Sequence, residues 1–215
     1  MKSFLLIGIG RFGFHLATKL NELDHQIMAI DIEEENIEKV LPYVTNALIG
    51  DSTDEEFLST LGVDTFDVCI VTISNNFESS LITTLILKEL GAKKIIARAC
   101  RDVQEKLLYR NGADVVIYPE KQVANWTALR YSSDSVFDSF NIANGFAIFE
   151  VSVPEAWNGK TVGTLNIRHK YQMNILAVKT NNELNMYVTP DTILRKGQSL
   201  YVLGKSKDVL KCFKS

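Results

Sequence analysis

The sequence predicts an α/β fold, a parallel sheet covered by helices, continued by a small α+β module. Three observations predict it. Through roughly the first two-thirds of the chain, short apolar runs alternate with amphipathic stretches, the pattern of strand, crossover helix and parallel strand. The run FLLIGIGRFG sets three glycines, Gly8, Gly10 and Gly13, between a strand candidate and a helix candidate. From YSSDSVFDSFNIANG onward the pattern changes to short β-like runs parted by turns. A boundary is therefore expected there, with residues 1–134 as one domain and 135–215 as the other.

The strand candidates of the first part are 3–8, 26–31, 47–50, 68–72, 94–98 and 114–118. Each is a short, mainly apolar run, and the first four end at a glycine, an acid or a small polar residue. Helix candidates fall at 13–23, 33–41, 54–61, 77–90 and 103–111, with Leu90-Gly91 and Asn111-Gly112 as C-terminal stops. Six strands joined by such crossovers make a Rossmann-type sheet. In the second part, strands are expected at 146–153, 174–179, 184–188 and 199–203, with a helix at 162–170 and a last short one at the end. That module has little core of its own, so dimerisation is expected of it.

Composition narrows the function classes. Of 215 residues 46% are hydrophobic and 23% charged, enough for an ordinary buried core. A net charge of -3 and a pI of about 5.7 offer no basic footprint, so nucleic acid is not an expected partner. Cys69, Cys100 and Cys212 form no CxxC pair, and the expected compartment is a reducing cytoplasm. No apolar run reaches the roughly 18 residues of a membrane helix, so any membrane role is expected to come through a partner.

Placed between strand and helix, the glycine loop reads as a phosphate site. Gly8 makes the tight turn, Gly10 lets backbone approach an anion, and Gly13 lets helix pack on strand. The helix N-terminus adds free N–H groups and the positive end of its dipole. Asp31 closes the second strand about 20 residues on, where a carboxylate accepts from ribose hydroxyls and repels a 2′-phosphate. The expected ligand is an adenosine nucleotide with a free ribose. Other strand ends supply Asp51, Ser52 and Thr53, then Ile73, Ser74 and Asn75, then Arg98, at the edge where ligands of open parallel sheets gather. DSTDEEF also reads as a helix cap with an acidic first turn. Arg11, inside the loop, suits a terminal phosphate, or is a solvated arginine.

Catalytic machinery is missing. A dehydrogenase needs a proton donor or acceptor beside the nicotinamide, and His15, His25 and His169 form no such constellation. Tyr201 and Lys205 have TyrxxxLys spacing but run through a β-like segment, where the two do not share a helix face. No zinc-protease, CxxC…CxxC or GxSxG pattern occurs. The chain is expected not to be an enzyme, with an NAD-dependent oxidoreductase as the alternative. No basic helix-turn-helix favours a redox-sensing transcription regulator.

Over essentially its whole length the sequence resembles the RCK (KTN) regulatory proteins of Ktr/Trk-type potassium transporters, and within them the Ktr cytosolic subunits. The likeness rests on IGIGRFG at 7–13, AIDI at 29–32, IGDST at 49–53, TTLILKELGAKKIIARA at 83–99, NGADVVIYPEK at 111–121 and LNIRHKYQMNILAV at 165–178. The resemblance implies a first domain that binds ATP or ADP, and in some members NAD(H). It implies homodimers assembled in an octameric ring beneath a membrane potassium channel subunit, hence a cytoplasmic protein peripheral to the membrane. Gly8, Gly10, Asp31, Asp51, Ser52, Ile73, Ser74, Asn75 and Arg98 match that pocket. Arg11 matches the arginine that reaches a γ-phosphate across the dimer, and Glu120 a carboxylate associated with a divalent cation (Mg or Ca). Glu33 and Gln104 also fall at pocket positions, where variation is expected. The second module resembles RCK_C, whose dimer binds cyclic di-AMP in several relatives. Ile167, Arg168, Asn174, Ile175 and Pro190 match the lining of that cleft, while Ile167 and Ile175 also read as module core.

Overall fold

The computed structural model describes residues 1–131 and 133–213. Contacts divide the chain into two units, Met1–Lys121 and Gln122–Ser215; the expected boundary at 134 falls between a helix and a strand of the second unit's sequence.

The first unit runs β1 (Ser3–Ile7), α1 (Arg11–Glu22), β2 (Gln26–Asp31), α2 (Glu34–Val40), β3 (Asn46–Ile49), α3 (Glu55–Ser59), β4 (Val68–Val71), α4 (Phe77–Glu89), β5 (Ile95–Arg98), α5 (Asp102–Arg110) and β6 (Val115–Ile117). All six strands are parallel, in the order β3-β2-β1-β4-β5-β6. The order reverses beside β1, so the glycine loop lies at the switch point where the crevice of such a sheet opens. Alternate residues of each strand face opposite sides. Phe4, Leu6, Ile27 and Ala29 pack with Ala17, Leu20, Ile37 and Val40. Leu5, Ile7, Ile30 and Val71 pack with Leu58, Leu87 and Leu108. Burial on both faces makes β1 the rigid base of the loop that follows it. The side chain of Asp54 caps α3, accepting from the N–H groups of Glu56 and Phe57 at 2.9 and 3.2 Å. The cap of DSTDEEF is thus Asp54 and not Ser52 or Thr53.

Helix α6 (Pro119–Tyr131) follows β6 and has no counterpart among the sequence expectations. No residue of it is buried, and without a buried face there is no 3.6-residue periodicity to read.

The second unit continues with β7 (Val136–Ala143), β8 (Phe146–Ser152), α7 (Val162–Leu165), α8 (Ile167–Tyr171), β9 (Asn174–Thr180), β10 (Glu183–Asn185), β11 (Ser199–Lys205) and α9 (Ser206–Cys212). Its antiparallel sheet has the order β10-β9-β11-β8-β7. Three elements differ from expectation. The segment expected as a boundary contains β7, and its Asn144-Gly145 pair, with φ of 51° and 78°, is the tight turn of a β7–β8 hairpin. The helix expected over 162–170 is two short helices parted at Asn166, φ 47°. Residues two apart do not share a helix face, and this break lets both Leu165 and Ile167 reach the core. The strand expected over 184–188 stops at Asn185, whose side chain accepts from Tyr187 N–H at 2.9 Å and turns the chain. Tyr201 and Lys205 lie on β11.

Candidate functional site: a cleft at the carboxyl edge of the parallel sheet

Within the first unit, a cleft of about 970 Å³ opens over the ends of β1 to β5. It is lined by Gly8, Gly10, Arg11, Asp31, Asp51, Ser52, Ile73, Ser74, Asn75, Arg98 and Glu120, so residues spread over more than half the chain meet in one place. Gly13 does not line it. A Cβ at Gly13 would collide with the Gly8 carbonyl and the Thr72 hydroxyl, so its part is close packing of α1 against the strand ends. Gly8 has φ 89°, and a Cβ there would come within 2.9 Å of Ile73 N. A Cβ at Gly10 would meet no protein atom within 4 Å; the space above that glycine is open cleft.

Local structure explains why the loop is held open. Asp31 Oδ2 accepts from Ile9 N–H at 2.5 Å and Oδ1 from Glu33 N–H at 2.9 Å. The carboxylate thereby ties the glycine loop to the end of β2, and a carboxylate's further lone pairs remain for other donors. The hydroxyl of Thr72 hydrogen-bonds the Gly8 carbonyl. Helix α1 begins at Gly10 without a side-chain cap and without an acid in its first turn. The N–H groups of Arg11, Phe12 and Gly13 meet no acceptor among the described residues. Unfilled donors at a helix N-terminus with the positive end of its dipole suit an anion, which is the fit a nucleotide's phosphates require.

The opposite rim carries charge of both signs. Arg98, its side chain only 13% exposed, pairs with Glu120 and lies over the Phe12 ring at 5.3 Å. The Nε of Arg98 is buried with no partner among the described residues. The backbone N–H of Glu120 itself, in the first turn of α6, holds its carboxyl below the usual carboxylate range, with Arg98 and Arg11 adding to that against a smaller effect of burial. Asp51 is likewise lowered by the backbone and hydroxyl of Thr53. Among the described residues no cluster of three or more His, Cys, Asp or Glu could hold a metal ion. A cation near Glu120 would therefore draw its other ligands from phosphate oxygens and water, as magnesium commonly does. Burial pushes the Cys69 thiol up to about 12, which leaves it an inert core residue.

Sequence reasoning missed several lining residues: Phe12, His15, Ile32, Asn36, Asn76 and Ser79. His15 was visible as the residue one helical turn beyond Arg11, on the same face. Glu33 also lines the cleft, whereas Gln104 turns away and accepts from Cys100 N–H at 2.8 Å.

In the second unit, Arg168 Nε donates to Asn174 Oδ1 at 2.6 Å, so those two residues meet. The Pro190 carbonyl accepts from Gly163 N–H at 2.8 Å. Ile167, 3% exposed, belongs to the module core, and Ile175 packs against it.

No helix among the described residues is long and apolar enough to cross a membrane. Residues 4–119 match the TrkA-N domain family and residues 146–214 the TrkA-C domain family. The chain is 36% identical over 208 residues to Ktr system potassium uptake protein C of Bacillus subtilis, and 34% identical over 208 residues to protein A of the same organism. Each alignment covers 97% of this chain and 94% of the relative. The GsuK channel bound to NAD superposes with a TM-score of 0.66 over 96% of this chain and 38% of that longer one, at 21% identity, a likeness of fold. With both domains in order and more than a third of aligned residues identical to a relative matched over 94% of its length, the chain belongs to the TrkA/Ktr family of potassium uptake proteins.

Proposed function

We propose that this chain is a nucleotide-sensing subunit, without catalysis of its own, that gates a membrane potassium channel subunit of Ktr/Trk type. The observation that carries this reading is the glycine loop: unpartnered N–H groups at the start of α1, with Asp31 beside them, facing a cleft of about 970 Å³. The phosphates of ATP or ADP would lie against those donors and the ribose against Asp31, with NAD(H) a further ligand of the same kind. Arg11 and Glu120 lie where a terminal phosphate would extend, Arg11 as its partner and Glu120 through a divalent cation. Assembly as homodimers in an octameric ring, and a cytoplasmic position beneath the channel, follow the family pattern.

Thermal unfolding with added nucleotide tests the reading, because a ligand bound by the folded state alone raises apparent stability with concentration. ATP, ADP and NADH are expected to raise the midpoint and NADPH much less, since Asp31 would repel its 2′-phosphate. Asp31→Ala is expected to weaken all of them. Arg11→Ala and Glu120→Gln are expected to erase the difference between ATP and ADP while sparing ADP. An unmoved midpoint with every nucleotide would overturn the proposal.

A second effector, cyclic di-AMP, is proposed for the second module, bound between two copies. Arg168, exposed and oriented by Asn174, suits a phosphodiester, and Pro190, which packs on Gly163, would belong to the same site. Ile167 and Ile175, being core, would shape the floor of the site more than they would cover a purine. Calorimetry of the full chain with cyclic di-AMP, wild type against Arg168→Ala, decides it; silence with the wild type removes this effector.

A further inference from the structure

From a buried contact beneath the cleft, we infer that Thr83 is a positioning residue that makes the site select a 6-aminopurine over a 6-oxopurine. The inference rests on the nucleotide reading above and goes on to say how the base is chosen. Thr83 lies on α4, fully buried, and does not line the cleft. Its hydroxyl donates to the Ser52 carbonyl at 3.2 Å and lies 2.8 Å from the Ser52 hydroxyl. A hydroxyl carries one proton. With that of Thr83 committed to the carbonyl, Ser52 must donate across the shorter contact. One side chain thus holds both the backbone and the side chain of Ser52.

What Ser52 and its neighbour then offer is a short line of valences. The Ser52 N–H meets no acceptor among the described residues. Asp51 uses Oδ1 for Thr53 N–H and Thr53 Oγ1, at 2.9 and 2.7 Å, and Oδ2 has no partner among the described residues. One acceptor and one donor therefore stand side by side at the end of β3. The sheet order says which part of a ligand they meet. With phosphates over the end of β1 and ribose at Asp31 on β2, the next strand outward is β3, and the base is what remains to lie there. Adenine presents a donor at its 6-amino group beside an acceptor at N1, the complement of this pair. Hypoxanthine and guanine present the reverse, an acceptor at O6 beside a donor at N1, and would leave groups unpaired on both sides. The order of donor and acceptor holds only while the Ser52 peptide is fixed, and Thr83 fixes it.

The test measures Kd for ATP and for ITP, which differ only in the 6-substituent and the N1 proton that goes with it, on the full chain by calorimetry. The wild type is expected to prefer ATP by about tenfold or more. Thr83→Val, which keeps shape and removes both hydrogen bonds, is expected to shrink that preference about fivefold or more by weakening ATP. Thr83→Ser, which keeps the hydroxyl, is expected to restore it. A role in folding alone would lower the unfolding midpoint of the valine variant and leave the ATP/ITP ratio unmoved, which overturns the inference. Equal wild-type affinities overturn it too, even if the valine variant does not fold, while leaving nucleotide binding itself in place. A wild type that binds neither nucleotide removes both readings together.

Discussion

Two polar sites in this molecule are built in opposite ways. In the glycine loop of the first unit the backbone donors at the start of α1 are left without partners, and Gly10 keeps the space above them clear. In the second unit the Glu150 carboxylate, its side chain 11% exposed, is fully engaged. It accepts from Ser199 at 2.7 Å, Lys179 at 3.0 Å and Tyr201 at 2.9 Å, across three neighbouring strands. A largely buried charge with both oxygens engaged by the protein's own donors is a fastener between strands. Helix-terminal donors with no protein partner, facing an open cleft, are left for water or a ligand to fill. Polarity by itself marks neither kind of site; the number of unused hydrogen-bonding groups separates them.

Changes at four positions sharpen this contrast. Gly13→Ala is expected to have the largest effect, because the new methyl would run into the Gly8 carbonyl and the Thr72 hydroxyl. Overpacking of this kind costs about 1–3 kcal/mol, and at a backbone contact the upper end is expected in urea unfolding. Next comes Glu150→Ala, which strands Ser199, Tyr201 and the Lys179 ammonium in the middle of the sheet. A loss of about 2 kcal/mol is expected, with nucleotide affinity unchanged. A shift in nucleotide affinity of the same size would show that Glu150 is more than a fastener.

The pH dependence of that second site has a definite sign. Burial would raise the Glu150 pKa, but the hydrogen bonds from Ser199, Lys179 and Tyr201 outweigh it and lower the folded value below 4.5. The unfolded chain therefore binds the proton more readily. The Glu150 contribution is complete above about pH 4.5 and is lost as pH falls through the lower folded value. In a stability profile, wild type minus Glu150→Gln should decline toward acid over that window, and a flat difference would refute the assignment. Asp54→Ala, which removes the α3 cap, should cost about 1 kcal/mol without touching either site. Smallest in stability is Gly10→Ala: with φ -69° and no atom within 4 Å, it should unfold within about 0.5 kcal/mol of wild type. Its nucleotide affinity should nevertheless fall at least tenfold. Unchanged affinity would mean that the open space above Gly10 is not where the phosphates lie.

Local pattern determined much of this protein. The apolar runs of β1, β2 and β4 are buried whichever neighbour covers them, so their positions and the parallel class of the first sheet were readable from composition and period. The glycine loop and Asp31 were readable for the same reason, since each answers to a turn or strand end within a few residues. Tertiary structure alone decided the rest. Helix α6 buries no face and so leaves no period; β7, VFDSFNIA, is interrupted by Asp138, Ser139 and Asn141 and flanked by turn residues on both sides, and its pairing with β8 settles it as a strand. The break at Asn166 exists because Leu165 and Ile167 must both reach one core. The pairing of Arg98 with Glu120 and the grip of Thr83 on Ser52 join residues 22 and 31 positions apart. No local propensity encodes such contacts: they form where packing of strands and helices brings the partners together, and the sequence between them carries no sign of it.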